Sequence, residues 1–154
     1  ALQAVPKKVE ESPEETPPKK NPPKNPKKPR GANQLVMVVD DEEIIRRTAK
    51  LMLEHYGYAV VVAQNGQECV DLYQVLADKV AAILLDMTMP VMNGEEAFRI
   101  LKTMQPNVRV LLSSGYNEVE AVRRFTGKGI AGFIQKPYSS AGLAEKLKSI
   151  LPEN

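Results

Sequence analysis

The sequence of 154 residues lacks the residue types that several common kinds of site require. Its single cysteine, Cys69, excludes an intramolecular disulfide and makes a cysteine-based zinc site implausible. Its single histidine, His55, gives no support for a Ser-His-Asp hydrolase. No apolar run approaches the roughly 18–20 residues of a membrane span. The first residues include neither a Met nor the apolar segment of a signal peptide.

Proline and positive charge are concentrated at the start of the chain. Residues 1–33 hold eight of the twelve prolines and eight Lys/Arg against four Glu, a net charge of +4. Since the whole chain has +2, residues 34–154 carry −2, and a basic nucleic-acid-binding globule is not expected. The Pro/Lys-rich segment cannot bury enough apolar surface to fold, so we predict an extended linker or tail. Contact with acidic lipid or nucleic acid is the alternative interpretation of this segment.

Residues 34–154 show short apolar runs that alternate with helical patterns. The runs predict buried strands at 35–39, 59–63, 80–85, 108–112 and 131–134. Apolar residues spaced by three and four predict helices at 43–56, 66–77, 94–104, 117–126 and 139–150. Continuous apolar strands are typical of a parallel sheet covered on both faces. We therefore predict one α/β domain, a flavodoxin-like doubly wound sheet of five parallel strands in the order 2-1-3-4-5, with helices on both faces.

Polar residues stand at the carboxyl ends of the predicted strands, where open α/β sheets bind ligands. Asp40-Asp41 follow the first strand, Asp86 the third, Ser113 the fourth and Lys136 the fifth. Carboxylates gathered at one edge repel one another, and a hard divalent cation removes that cost. We predict a Mg²⁺ site with Asp41 and Asp86 as direct ligands.

The same edge could carry out phosphoryl transfer. A second set of contacts to the metal is expected from the backbone carbonyl of Thr88 and, through water, from Asp40. A carboxylate can attack phosphorus to give an aspartyl phosphate, a transfer that depends on positioning and charge neutralisation. Asp86 is the expected nucleophile because it follows a fully apolar strand, while Lys136 and Ser113 are placed to contact phosphoryl oxygens.

These residues resemble the motifs of response-regulator receiver domains of two-component signalling. The matching features are Asp40-Asp41, Asp86 within LLDMTMPVMNG, Ser113 after VLL, and Lys136 before a proline. The resemblance implies that Asp86 is the phosphoacceptor, that Lys136 binds the phosphoryl group and that Asp40 and Asp41 serve the metal site.

The resemblance also implies a switch, with Ser113 and Phe133 in the positions of the switch hydroxyl and the switch aromatic. Partners would read the face made by the fifth strand and the last two helices. The implied donor is a phosphohistidine on a histidine kinase domain or a histidine phosphotransfer protein. Neither nucleic-acid binding by the receiver nor direct membrane insertion is expected, and the predicted location is cytoplasmic, although a longer parent protein could be membrane-anchored.

The linker at residues 1–33 and the missing initiator Met lead us to expect a fragment of a longer protein, with a hybrid sensor histidine kinase as the favoured parent. Whether the chain counts as an enzyme stays open, because a receiver only assists its own phosphorylation and dephosphorylation. A stand-alone phosphorelay receiver is the alternative. A phosphatase of the haloacid-dehalogenase type is a rival, but it needs Asp-x-Asp after the first strand, where this chain has Asp40-Asp41-Glu42. A flavin-binding module and a degenerate receiver are weaker rivals.

Overall fold

The computed structural model describes residues 34–89, 91–115, 123, 125 and 127–152. The predicted tail at 1–33 and most of the predicted helix at 117–126 lie outside these residues. The described elements are, in chain order, β1 Leu35–Val39, α1 Glu43–His55, β2 Ala59–Ala63, α2 Gly66–Leu76, β3 Val80–Asp86, α3 Gly94–Met104, β4 Val110–Ser114, β5 Gly132–Gln135 and α4 Ser140–Ile150. In these ranges no helix is long and apolar enough to cross a bilayer.

The strands form one parallel sheet in the order β2-β1-β3-β4-β5, which confirms the predicted topology. Among the described elements, two helices cover each face. Alternate strand residues pack on α1 and α4 through Ala49, Leu53, Leu143 and Leu147. The other strand residues pack on α2 and α3 through Cys69, Tyr73, Phe98 and Leu101.

Burial departs from the sequence prediction at one edge of the sheet and at the start of α1. The run in β2 predicted a strand covered on both faces, but Val62 is 36% exposed and Val60 and Val61 are only half-buried. The reason is that β2 is an edge strand with a neighbour on one side only. Ile44, part of the predicted apolar stripe of α1, is 64% exposed because it lies in the first turn, before the part of the helix that contacts the sheet.

Two glycines allow the loop after β3 to pack closely. A Cβ on Gly94 would lie 2.5 Å from the carbonyl oxygen of Asp86, so only glycine lets α3 begin directly against the end of β3. A Cβ on Gly66 would lie 2.5 Å from the carbonyl oxygen of Met92, which brings the start of α2 against the same loop. Both helix starts therefore brace the backbone beside Asp86.

Candidate functional site

Four polar side chains lie at the carboxyl ends of the strands, beyond the apolar residues of one face of the sheet. Each lies two residues after a buried strand residue on the face covered by α1 and α4, and these buried residues are Val38, Leu84, Leu111 and Ile134. Because strand side chains alternate with a period of two, the side chains that follow point to the same face: Asp40, Asp86, Ser113 and Lys136. The predicted gathering of these residues at one edge is confirmed.

The sheet holds the backbone of this edge in place. Asp86 pairs in register with Ser113 of β4, and both are almost fully buried. The N–H of Lys136, just past β5, donates to the carbonyl oxygen of Ser114 at 2.9 Å. The site therefore stands on rigid backbone, as a precisely positioned polar cluster needs.

Lys136 connects two buried carboxylates. Its Nζ lies 3.1 Å from Oδ2 of Asp40 and 3.3 Å from Oδ1 of Asp86. The carboxylate side chains are each 3% exposed, and the lysine side chain is 20% exposed. Backbone N–H groups donate to the same carboxylates, from Glu42 to Asp40 Oδ1 at 3.0 Å and from Thr88 to Asp86 Oδ1 at 3.4 Å. One ammonium thus forms ion pairs with two carboxylates.

Asp41 adds a third carboxylate. Its side chain is exposed, yet one oxygen from each of Asp40, Asp41 and Asp86 can be chosen so that all lie within 4.8 Å of one another. At such a distance two negative charges repel by roughly 3–4 kcal/mol at an effective dielectric of 20. Three carboxylates beside one ammonium leave a local excess of two negative charges.

The crowding of charged groups shifts the pKa values of Asp86 and Lys136. Burial, and next the negative charge of Asp40, raise the pKa of Asp86 to about 6, although Lys136 acts in the opposite direction. Burial by itself lowers the pKa of Lys136, but the attraction of Asp86 and Asp40 outweighs it and the pKa is raised. Lys136 therefore stays charged at neutral pH, and ionised Asp86 is held at a cost in free energy.

The donor set fits a hard divalent cation. Carboxylate oxygens are the ligands that Mg²⁺ prefers, and an ion of charge +2 matches the excess negative charge. Asp41 opens the cluster to solvent, so a hydrated ion could enter. The direct roles of Asp41 and Asp86 and the water-mediated role of Asp40 stay predictions. For Thr88 the described contact is made by its amide N–H, and the metal-binding role of its carbonyl also stays a prediction.

Phe133 lies apart from the carboxylates. It is half-buried on the opposite face of the sheet, with its ring centroid 6.3 Å from that of Phe125. One contact escaped the sequence analysis: Nη1 of Arg46 donates to the carbonyl oxygen of Asp40 at 2.9 Å. No motif identifies this contact, because Arg46 lies on the polar side of α1, and only the first turn of the helix brings it back to the end of β1.

Comparisons with known proteins agree with this geometry. A sequence model for the response regulator receiver domain matches residues 36–148. The chain is 31% identical to sensor kinase CckA of Brucella abortus over 75% of its own length, which is only 12% of that kinase. It is 28% identical to sporulation initiation phosphotransferase F of Bacillus subtilis over 78% of its own length and 95% of that protein. The crystal structure of a CheX-CheY-BeF3-Mg²⁺ complex from Borrelia burgdorferi matches with a TM-score of 0.76 and 27% identity, covering 80% of this chain and 97% of that one.

Proposed function

Because the chain belongs to the response regulator receiver domain family of two-component signalling, we propose that Asp86 accepts a phosphoryl group from a phosphohistidine. The donor is a histidine kinase domain or a histidine phosphotransfer protein. The observation that carries this proposal is the buried Asp86 carboxylate, 3.3 Å from the Lys136 ammonium and beside two further acids.

In the transfer, an oxygen of Asp86 forms a bond to phosphorus while the bond between phosphorus and the histidine nitrogen breaks. The imidazole leaves and takes up a proton. Lys136 holds one phosphoryl oxygen by its positive charge, and the Ser113 hydroxyl donates a hydrogen bond to another. Little covalent help is needed, because such transfers depend on positioning and charge neutralisation. Asp41 and Asp86 would hold Mg²⁺ directly and Asp40 would hold it through water, and the bound ion would supply positive charge to the phosphoryl oxygens.

The new charge is then communicated to a binding face. Ser113 moves towards the phosphoryl group, and the space that it leaves lets Phe133 rotate inward. The two conformations differ in their contacts with the phosphoryl group, and this difference supplies free energy for the switch. Partners bind the face around β5 and α4.

We also propose that the chain is the receiver of a hybrid histidine kinase in the cytoplasm, where ATP-dependent kinases act. Its similarity to a small part of a sensor kinase supports this assignment. Its similarity to nearly all of phosphotransferase F supports the alternative, a stand-alone phosphorelay receiver. Phosphotransfer profiling against candidate histidine kinases and histidine phosphotransfer proteins separates the two: fastest transfer from a kinase encoded in the same reading frame supports the hybrid.

Acetyl phosphate with Mg²⁺ tests the phosphoacceptor directly. We expect one phosphoryl group per chain, stable in acid and removed by hydroxylamine, as an acyl phosphate requires. Asp86→Asn should abolish labelling. Asp78→Asn is the matched control, since Asp78 is an exposed acid in the turn after α2 and should leave labelling unchanged. Undiminished labelling of the Asp86→Asn variant would remove Asp86 as the nucleophile.

A further inference from the structure

A cavity lies on the face of the sheet opposite the carboxylates. Its volume is about 300 Å³, near the lower end of small-molecule sites. Among the described residues its lining consists of Glu95, Phe98, Arg99, Lys102 and Lys128. The four α3 residues are spaced by three, four and seven, so they share one face of that helix. Lys128 reaches the cavity from the turn that precedes β5.

Three cations surround an aromatic floor. Lys128 Nζ lies 3.2 Å from Oε2 of Glu95, with both side chains partly exposed, and Arg99 is exposed. Lys102 Nζ donates to the carbonyl oxygen of Pro106 at 2.7 Å. The Lys102 side chain packs over Gly129, where an added Cβ would lie 2.6 Å from Lys102 Cε. The described lining residues include one acidic and three basic side chains, so their net charge is positive, and buried Phe98 supplies an apolar floor. This combination suits a small organic anion that carries an aromatic ring.

The floor of the cavity leads to Phe133 through a short series of aromatic contacts. The ring centroids of Phe98 and Phe125 are 5.9 Å apart at an interplanar angle of 73°, and those of Phe125 and Phe133 are 6.3 Å apart. Lys128 Nζ also lies 5.9 Å from the Phe125 centroid. A group that displaces Lys128 or tilts Phe98 therefore presses on the ring against which Phe133 packs, since close-packed side chains transmit strain.

We propose that this cavity binds a small aromatic anion and that its occupancy biases the position of Phe133, and through it the phosphorylation state of Asp86. The second half of this statement rests on the proposed function. Coupling between two sites is reciprocal, so phosphorylation must change the affinity of the cavity by the same factor.

Naphthalene-1-sulfonate is a suitable probe, titrated calorimetrically into the full chain. We expect one saturable site, weakened about tenfold by Arg99→Glu or Lys102→Glu because each reverses a charge on the rim. Lys79→Glu is the matched control: it makes the same charge change on an exposed lysine in the turn before β3, and it should leave affinity unchanged. Equal weakening by Lys79→Glu, or no weakening by the rim variants, would overturn the site.

The coupling is tested by repeating the titration with beryllofluoride and Mg²⁺, a stand-in for the phosphoryl group. We expect the affinity for the probe to change about fivefold or more in the wild type. Phe133→Leu, which keeps an apolar side chain, should abolish that change while the probe still binds. An identical affinity with and without bound beryllofluoride refutes the coupling alone. Failure of beryllofluoride to bind at all refutes the proposed function. In that case the titrations of Arg99→Glu and Lys102→Glu still test whether the probe binds in the cavity.

Discussion

Replacing Asp86 with asparagine should stabilise the protein when Mg²⁺ is absent. The pKa of this carboxyl is raised from 3.8 to about 6, first by burial and then by the negative charge of Asp40. Ionised Asp86 therefore opposes folding at neutral pH. Asparagine has nearly the same shape and can still accept the hydrogen bond from the Thr88 N–H, but it carries no charge.

The size of the effect follows from the difference between the folded and unfolded pKa values. That difference is about 2, and each pH unit corresponds to ~1.36 kcal/mol, so ionised Asp86 lowers the free energy of unfolding by at most roughly 3 kcal/mol. Allowing for residual solvent screening, we expect Asp86→Asn to gain about 1–3 kcal/mol, or roughly 5–10 °C in melting temperature for a domain of this size.

The two pKa values of Asp86 also determine how the stability of the wild type changes with pH. Unfolded Asp86 loses its proton near pH 3.8, but folded Asp86 keeps it to about 6. Between these values the folded state binds more protons, so the stability of the wild type falls as pH rises and levels off above about 6. The variant lacks this fall. Its advantage should be small at about pH 4 and complete at about pH 7.5.

Urea unfolding in EDTA at these two pH values measures the effect, and Asp78→Asn is the control for removing an exposed acid. Saturating Mg²⁺ should reduce or reverse the advantage at neutral pH, because the ion stabilises only the chain that binds it well. The reasoning fails if Asp86→Asn is no more stable than the wild type at neutral pH in EDTA, or if its gain is the same at both pH values.

Three further outcomes are expected. Lys136→Gln leaves two buried carboxylates without their shared cation, so urea melts in EDTA should show a loss of about 1–4 kcal/mol, and acetyl phosphate labelling should fall sharply. Gly94→Ala places a Cβ 2.5 Å from the Asp86 carbonyl oxygen and should cost at least about 1–3 kcal/mol in thermal melts, whereas Gly115→Ala, where no atom of the described residues lies within 4 Å of the added Cβ, should be nearly neutral. Deleting residues 1–33 should leave Mg²⁺ binding by calorimetry and phosphorylation intact; losing either would make the tail part of the site.

Local pattern was enough to predict most of the strands and helices. β1, β2 and α3 have the predicted bounds, because runs of apolar residues and spacings of three and four report directly on a buried strand and an amphipathic helix. β4 is the instructive exception. Its apolar run predicted 108–112, but the strand spans Val110–Ser114, since pairing of Ser113 with Asp86 extends the ladder into polar residues. Hydrogen bonding to the next strand, not hydropathy, determines where a strand ends.

The sequence by itself determined the fold class, the strand order and the edge at which Asp40, Asp86, Ser113 and Lys136 gather. The fold class and this edge follow from local periodicity and from the rule that the carboxyl ends of parallel strands lie at one edge of a sheet, whereas the order was taken from the flavodoxin-like arrangement of five βα units. Only the tertiary structure decided that one lysine serves two carboxylates, although Lys136 and Asp40 are 96 residues apart. It also decided that Phe133 packs on Phe125 away from the carboxylates, and that α3 faces a cationic cavity. Such contacts join distant segments, and their distances depend on how whole elements pack, which no local pattern encodes.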